Sequence, residues 1–171
     1  MLVSTAIGFK ALYSNVSGAY GVAIGYESQY YANNTAEMPW SNYNTSVGYQ
    51  TLRGSTTAAN NTGNYNTALG YGTLLGTTSG GYNTAVGYNA GQFITNGSTA
   101  NTTSDYSVYL GVNTNAYADD AQNEIVIGYD ATGSGSNTVT IGNSSIESTI
   151  LMGNVGLGFT TPTNGKLVVN G

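Results

Sequence analysis

Neither cysteine nor histidine occurs anywhere in the 171 residues. Their absence excludes disulfide frameworks, thiolate and imidazole metal sites, Ser-His-Asp triads and Cys-His dyads. Charge is scarce too: 6% of residues are Asp, Glu, Lys or Arg, against roughly 25% in an ordinary soluble domain. The three basic residues, Lys10, Arg53 and Lys166, are too few for the positive track that nucleic acid requires. No apolar run approaches the ~20 residues of a membrane helix, and Met1 is not followed by a basic and then hydrophobic signal region. Membrane insertion is therefore not expected, and export would come by cell lysis within a virus particle or as part of a longer secreted protein. Leu, Ile, Val and Phe number 33 of 171, near the ~20% below which a lone chain struggles to bury enough apolar surface. No cofactor is expected.

The missing bulk is supplied by 25 Gly, 15 Tyr and many Asn, Thr and Ser, with a net charge of only −5. This mixture suits β-turns and laddered strands. An apolar residue followed by Gly recurs at Ile7-Gly8, Ile24-Gly25, Val47-Gly48, Leu69-Gly70, Val86-Gly87, Leu110-Gly111, Ile127-Gly128, Ile141-Gly142 and Met152-Gly153. The clearest copies read Tyr43-Asn44-Thr45-Ser46-Val47-Gly48-Tyr49, Tyr65-Asn66-Thr67-Ala68-Leu69-Gly70-Tyr71 and Tyr82-Asn83-Thr84-Ala85-Val86-Gly87-Tyr88. Successive glycines lie 17, 23, 22, 17, 24, 17, 14 and 11 residues apart, so the unit has a fixed strand and a variable connection.

Side chains of a strand alternate with period two, so the residues one and three before Gly share a face. They are β-branched or aliphatic in every copy, from Thr5 and Ile7 to Ile150 and Met152, and this is the face expected to be buried. The residue between them is Ala6, Ala23, Ser46, Ala68 and Ala85 in the first five copies, small enough for another backbone to approach on the opposite face. Gly fits a corner that needs φ > 0 or a close approach. A helical period is nowhere sustained, and Gly, Asn and Thr at this density oppose helix. The chain therefore reads as an all-β coil of stacked short strands, a β-roll or β-solenoid. Tyrosines after the glycine (Tyr26, Tyr49, Tyr71, Tyr88, Tyr129, with Phe9 equivalent) and five before it (Tyr20, Tyr43, Tyr65, Tyr82, Tyr106) are in register and predict stacked ladders.

The Asn-Thr-Ala-Val-Gly repeat resembles the head repeat of trimeric autotransporter adhesins, and with Tyr on both sides it is closer still to the versions in phage and large-virus tail fibres. The stretch Gly153-Asn154-Val155-Gly156-Leu157-Gly158-Phe159-Thr160-Thr161-Pro162, continuing to Lys166-Leu167-Val168-Val169-Asn170-Gly171, is similar to the segment that precedes the endosialidase-type intramolecular chaperone. The resemblance implies a trimeric left-handed parallel β-roll fibre with long loops between coils. It divides the chain into a repeat roll at 1–152 and a C-terminal β segment at 153–171 preceding a chaperone domain. It also implies a homotrimer on a virion tail fibre or cell exterior that presents a receptor-binding, glycan-contacting surface, and no enzyme. The alternatives are a structural filament or spacer without ligand, and a polysaccharide-cleaving tailspike.

Loops on a rigid scaffold are where binding residues are displayed. The loop from Glu27 to Asn42 holds the single Trp, adjacent tyrosines and two carboxylates. Aromatic faces stack on sugar C–H groups while carboxylates and amides take hydroxyls, which makes Tyr30, Tyr31, Trp40, Glu27 and Glu37 the candidate ligand-binding residues; the alternative is that the aromatics cover the roll. Glu27 and Glu37 are also the one acid pair flanking an aromatic loop, as a glycosidase would need. The loops Arg53 to Asn64 and Gln92 to Asp105 read as polar decoration. Asp119, Asp120, Glu124 and Asp130 offer oxygen ligands but match no EF-hand spacing, and read as a solvated acidic loop rather than a metal site.

Overall fold

The computed structural model describes residues 3–16, 18–32 and 41–152. Among these residues eight strands, β1 (Thr5–Ile7), β2 (Val22–Ile24), β3 (Thr45–Val47), β4 (Thr67–Tyr71), β5 (Thr84–Tyr88), β6 (Val108–Leu110), β7 (Ile125–Ile127) and β8 (Val139–Ile141), follow one another with a single 3-10 turn at Ala58–Asn60. They pair in chain order into one eight-stranded sheet, and every pair is parallel. The register never slips: Thr67 lies beside Thr84, Leu69 beside Val86 and Gly70 beside Gly87. Each stretch of chain therefore makes one circuit and returns beside its own equivalent residues. The described residues contain no α-helix.

A second wall closes the circuit behind the sheet. The amide four residues after each coil's glycine donates to the next coil, as in Gln29 N to Thr51 O at 2.9 Å, Leu52 N to Thr73 O at 3.1 Å and Gly91 N to Thr114 O at 2.8 Å. Between the walls lies an interior of small side chains. Ala23, Ser46, Ala68 and Ala85 project inward from the strands, and Ser28, Thr51, Thr73 and Ala90 meet them from behind, all nearly or fully buried. The Ser28 and Ser46 hydroxyls bond directly across the gap.

This arrangement reverses the expected burial. The aliphatic positions point outward and are half-buried or exposed, as in Ile24, Val47, Leu69, Val86, Leu110 and Ile141, while the Ala position between them forms the core. The reason is the width of the coil: two walls this close have room only for small side chains, so the larger ones take the outer face. In β6 and β7 the inward position enlarges to Tyr109 and Val126, both fully buried. The space is found opposite Gly91, where an added Cβ would meet the Tyr109 ring at 2.6 Å.

Two columns fix the coil. The glycine after each strand has φ between +127° and +140° from Gly8 to Gly128, and from Gly8 to Gly111 a Cβ there would overlap the carbonyl oxygen of the glycine in the next coil; only glycine meets both demands. Four residues before it, the buried Asn44, Asn66 and Asn83 link the coils. Asn44 Oδ1 accepts from Asn66 N at 2.8 Å, Asn66 Oδ1 from Asn83 N at 2.9 Å and Asn83 Oδ1 from Ser107 N at 2.9 Å. Their Nδ2 groups donate to Gly63 O, Gly80 O and Ser104 O. The Asn of the Tyr-Asn-Thr motif is thus an internal clamp, since a buried amide is tolerated only when its donor and acceptor are both engaged.

The ninth repeat departs from expectation. Ile150–Met152 is exposed and not a strand, because only 11 residues separate Gly142 from Gly153, fewer than the 14 of the shortest closed coil between Ile127 and Ile141. The segment 153–171 lies outside the described residues.

Candidate functional site

The outer face of the sheet is a strip of four columns. At its centre run the threonine or valine and the aliphatic positions of each strand. On one side Tyr20, Tyr43, Tyr65, Tyr82 and Tyr106 stack with ring centroids 5.3, 5.0, 4.7 and 5.1 Å apart. On the other, Phe9, Tyr26, Tyr49, Tyr71 and Tyr88 stack at 5.3, 5.1, 4.8 and 5.0 Å. Both ladders remain exposed on the chain. Their spacing is the interstrand distance of a sheet, so the in-register pairing sets the stacking.

A second aromatic cluster lies farther round the coil. Tyr13, Tyr30 and Arg53 occupy the same position, five residues after Gly8, Gly25 and Gly48. Tyr13 stacks on Tyr30 at 5.1 Å, and Tyr31 meets Tyr30 edge-on at 4.4 Å. Lys10 Nζ lies 5.4 Å from the Tyr30 centroid, and the Arg53 guanidinium carbon lies 5.6 Å from Tyr30 and 5.0 Å from Tyr31. These are cation–π distances. Glu27 is buried, and its Oε2 accepts from Arg53 Nε at 3.0 Å and Gln50 Nε2 at 2.8 Å. The Gln50 hydrogen bond, together with the bond and charge of Arg53, holds its carboxyl below the usual range although burial opposes this. The Glu27 charge in turn pushes the neighbouring Tyr26 phenol up.

Of the five residues expected to bind ligand, Tyr30 and Tyr31 are thus brought together, with Glu27 beneath them as the anchor of Arg53. Trp40 and Glu37 lie outside the described residues. A glycosidase pairs a protonated acid with an ionised carboxylate; Glu27, held in its charged form, fits only the second role, and Glu37 lies outside the described residues. Composition alone reads Lys10 and Arg53 as merely too few; the signal that finds them is register, Arg53 with Tyr13 and Tyr30, and Lys10 with Glu27 and Gln50.

The acidic residues are engaged structurally. Asp119 accepts from the Thr102 amide, from Thr102 Oγ1 at 2.7 Å and from Thr103 N at 3.2 Å. Glu124 belongs to no solvated loop: it is fully buried and accepts from Tyr117 N at 3.2 Å and Gly135 N at 3.0 Å. Among the described residues no group of three His, Cys, Asp or Glu side chains is placed to hold a metal ion. The loop after Arg53 is tied by Asn61, which bonds both N and O of Ser55. The loop after Gln92 turns back on itself through the Phe93–Ala100 bridge. No protein-family model, curated protein or solved structure matches this chain.

Proposed function

We propose that this chain is a segment of a homotrimeric β-roll fibre, carried on a virion tail fibre or cell exterior, that presents a glycan-binding surface to a host. The observation that carries the reading is the outward strip of aliphatic side chains between two tyrosine ladders. Eight strands at the usual interstrand spacing span about 34 Å, and a strip seven residues wide makes about 700 Å². A contiguous, largely apolar strip of that size is uncommon on a soluble monomer, and it approaches the ~800 Å² per partner of a stable interface. Copies of this same chain are the occupants that fit, since an interior of Ala and Ser buries too little for a roll to stand alone. The number three and the left-handed roll come from the adhesin-like repeat.

On such a fibre the cluster of Tyr30 and Tyr31 lies beside the Phe9 ladder, with Lys10 between Phe9 and Tyr30, and together with Glu37 and Trp40 it supplies the glycan contact. Three copies convert weak contacts into firm attachment through effective concentration. Binding rather than hydrolysis is proposed, because Glu27 is buried with its Oε2 taken by Arg53 and Gln50, which makes it an anchor and not a reacting group.

Sedimentation equilibrium tests the assembly: three times the chain mass is expected, and a stable solitary chain at micromolar concentration would refute it. Glycan binding by the trimer, lost in Trp40→Ala without loss of trimer, tests the contact.

A further inference from the structure

We infer that the Lys10–Tyr30–Arg53 cluster is an anion subsite, and that the glycan bound by the fibre is acidic, carrying the carboxylate of a uronate or sialate; this rests on the glycan-binding reading above. Two of the three basic residues of the chain converge on one tyrosine ring, although they stand 43 positions apart in sequence. The convergence follows from the coil. Lys10 is two residues past the first glycine and Arg53 five past the third, so Tyr30, five past the second, has one cation on each neighbouring coil.

The two cations are held rather than merely near. Among the described residues Arg53 is fixed by Glu27 through Nε, and its guanidinium carbon lies 5.0 Å from the Tyr31 centroid. Among the described residues its terminal nitrogens and Lys10 Nζ make no hydrogen bond or ion pair. Lys10 Nζ also lies 5.2 Å from the Phe9 ring and 5.5 Å from Tyr13, so its ammonium is flanked by aromatic faces and its donors are taken by none of the described residues. A planar guanidinium end suits a carboxylate in two-point fashion, and the tyrosine faces suit the sugar ring that bears it.

The rest of the chain sharpens the selection. Residues 1–104 carry Lys10 and Arg53 against Glu27 and Glu37, whereas Asp105, Asp119, Asp120, Glu124, Asp130 and Glu147 all lie beyond. Toward its C-terminal coils the roll is therefore acidic and repels an acidic polymer, which directs it to the first three coils. The screening length of ~8 Å at physiological salt confines the attraction to groups within the cluster's reach.

The test uses the assembled wild-type protein with sialylated and uronate oligosaccharides, alongside the same sugars desialylated or carboxyl-reduced. Preference for the acidic form by about tenfold, weakened severalfold between 0.05 and 0.5 M salt, is expected. Lys10→Gln should lose about five- to tenfold for the acidic sugar and leave a neutral sugar unaffected. Because Arg53→Gln alone strands a buried carboxylate, the paired change Glu27→Gln with Arg53→Gln is the companion variant, with the same loss expected. Equal binding of acidic and neutral forms, or undiminished acidic binding in both variants, overturns the anion subsite while leaving glycan binding standing. Failure of a folded trimer to bind any member of either set overturns both.

Discussion

Leu69 and Ala68 are adjacent in β4 and face opposite ways, and replacing each in turn separates the contact between chains from the packing within one. Leu69 is 47% exposed on the chain. Complete burial of a leucine is worth about 1.5–3 kcal/mol, so covering the exposed half contributes about 1 kcal/mol per chain and about 3 kcal/mol per three-chain assembly. Leu69→Ala should weaken the assembly constant about a hundredfold. Leu69→Asp should do far more, since three desolvated carboxylates each cost several kcal/mol. Neither change disturbs the packing inside the coil, so any loss of folded structure should follow loss of assembly and be recovered at higher protein concentration. Ala68, 1% exposed, behaves oppositely: Ala68→Leu forces bulk into the narrow interior and should destabilise the coil by about 3 kcal/mol or more. Sedimentation equilibrium reads the first effect and circular dichroism in urea the second. If Leu69→Asp assembles as tightly as the parent, the outward strip is not the interface and the reasoning fails.

Asn66→Ala should cost about 2–6 kcal/mol, because it orphans the buried Asn83 backbone N–H and Gly80 carbonyl at about 1–3 kcal/mol each. Asn66→Asp keeps the acceptor but loses the donor, and its deficit in urea melts should shrink as the pH falls and a protonated carboxyl can donate again. Gly70→Ala, at φ +132° against the Gly87 carbonyl, should lose more than about 3 kcal/mol, whereas Gly97→Ala, at φ +65° with nothing within 4 Å, should cost about 1 kcal/mol. Glu27 has a lowered folded pKa, so its contribution to stability is complete above its ordinary value of 4.5 and lost as pH falls through the lower folded value. Glu27→Gln should flatten that acid limb of the melting-temperature profile, and an unchanged limb would count against the pairing with Arg53.

The coil itself was legible because the glycine, the alternation before it and the flanking tyrosines all repeat in one register, and strand pairing preserves that register. Which face is inside was not legible. Alternation alone says that Leu69 and Ala68 differ, and the usual rule buries the larger; here the spacing of the walls decides, and that is a property of the whole circuit. Nor do local preferences disclose the corners. Tyr20, Tyr65, Tyr82 and Tyr106 hold φ of 55° to 69°, and Leu12, Leu52 and Leu74 hold 47° to 51°, in a region that such residues avoid. Stacking between coils offsets that strain. The role of Asn66 was hidden for a similar reason, since asparagine before a strand reads as a turn residue until its buried partners on the next coil are seen. The Lys10 and Arg53 convergence required knowing which coils are neighbours.

In-register parallel stacking has a metric consequence. Each circuit advances the rod by one interstrand step of about 4.8 Å, whether the connection is 14 residues or 24. Reach is therefore counted in glycines rather than in residues: lineages can lengthen a connection without altering the height of the sites above it, or add a whole circuit and raise them by a fixed increment. The molecule is graduated like a measuring staff, with ornament and length varied independently.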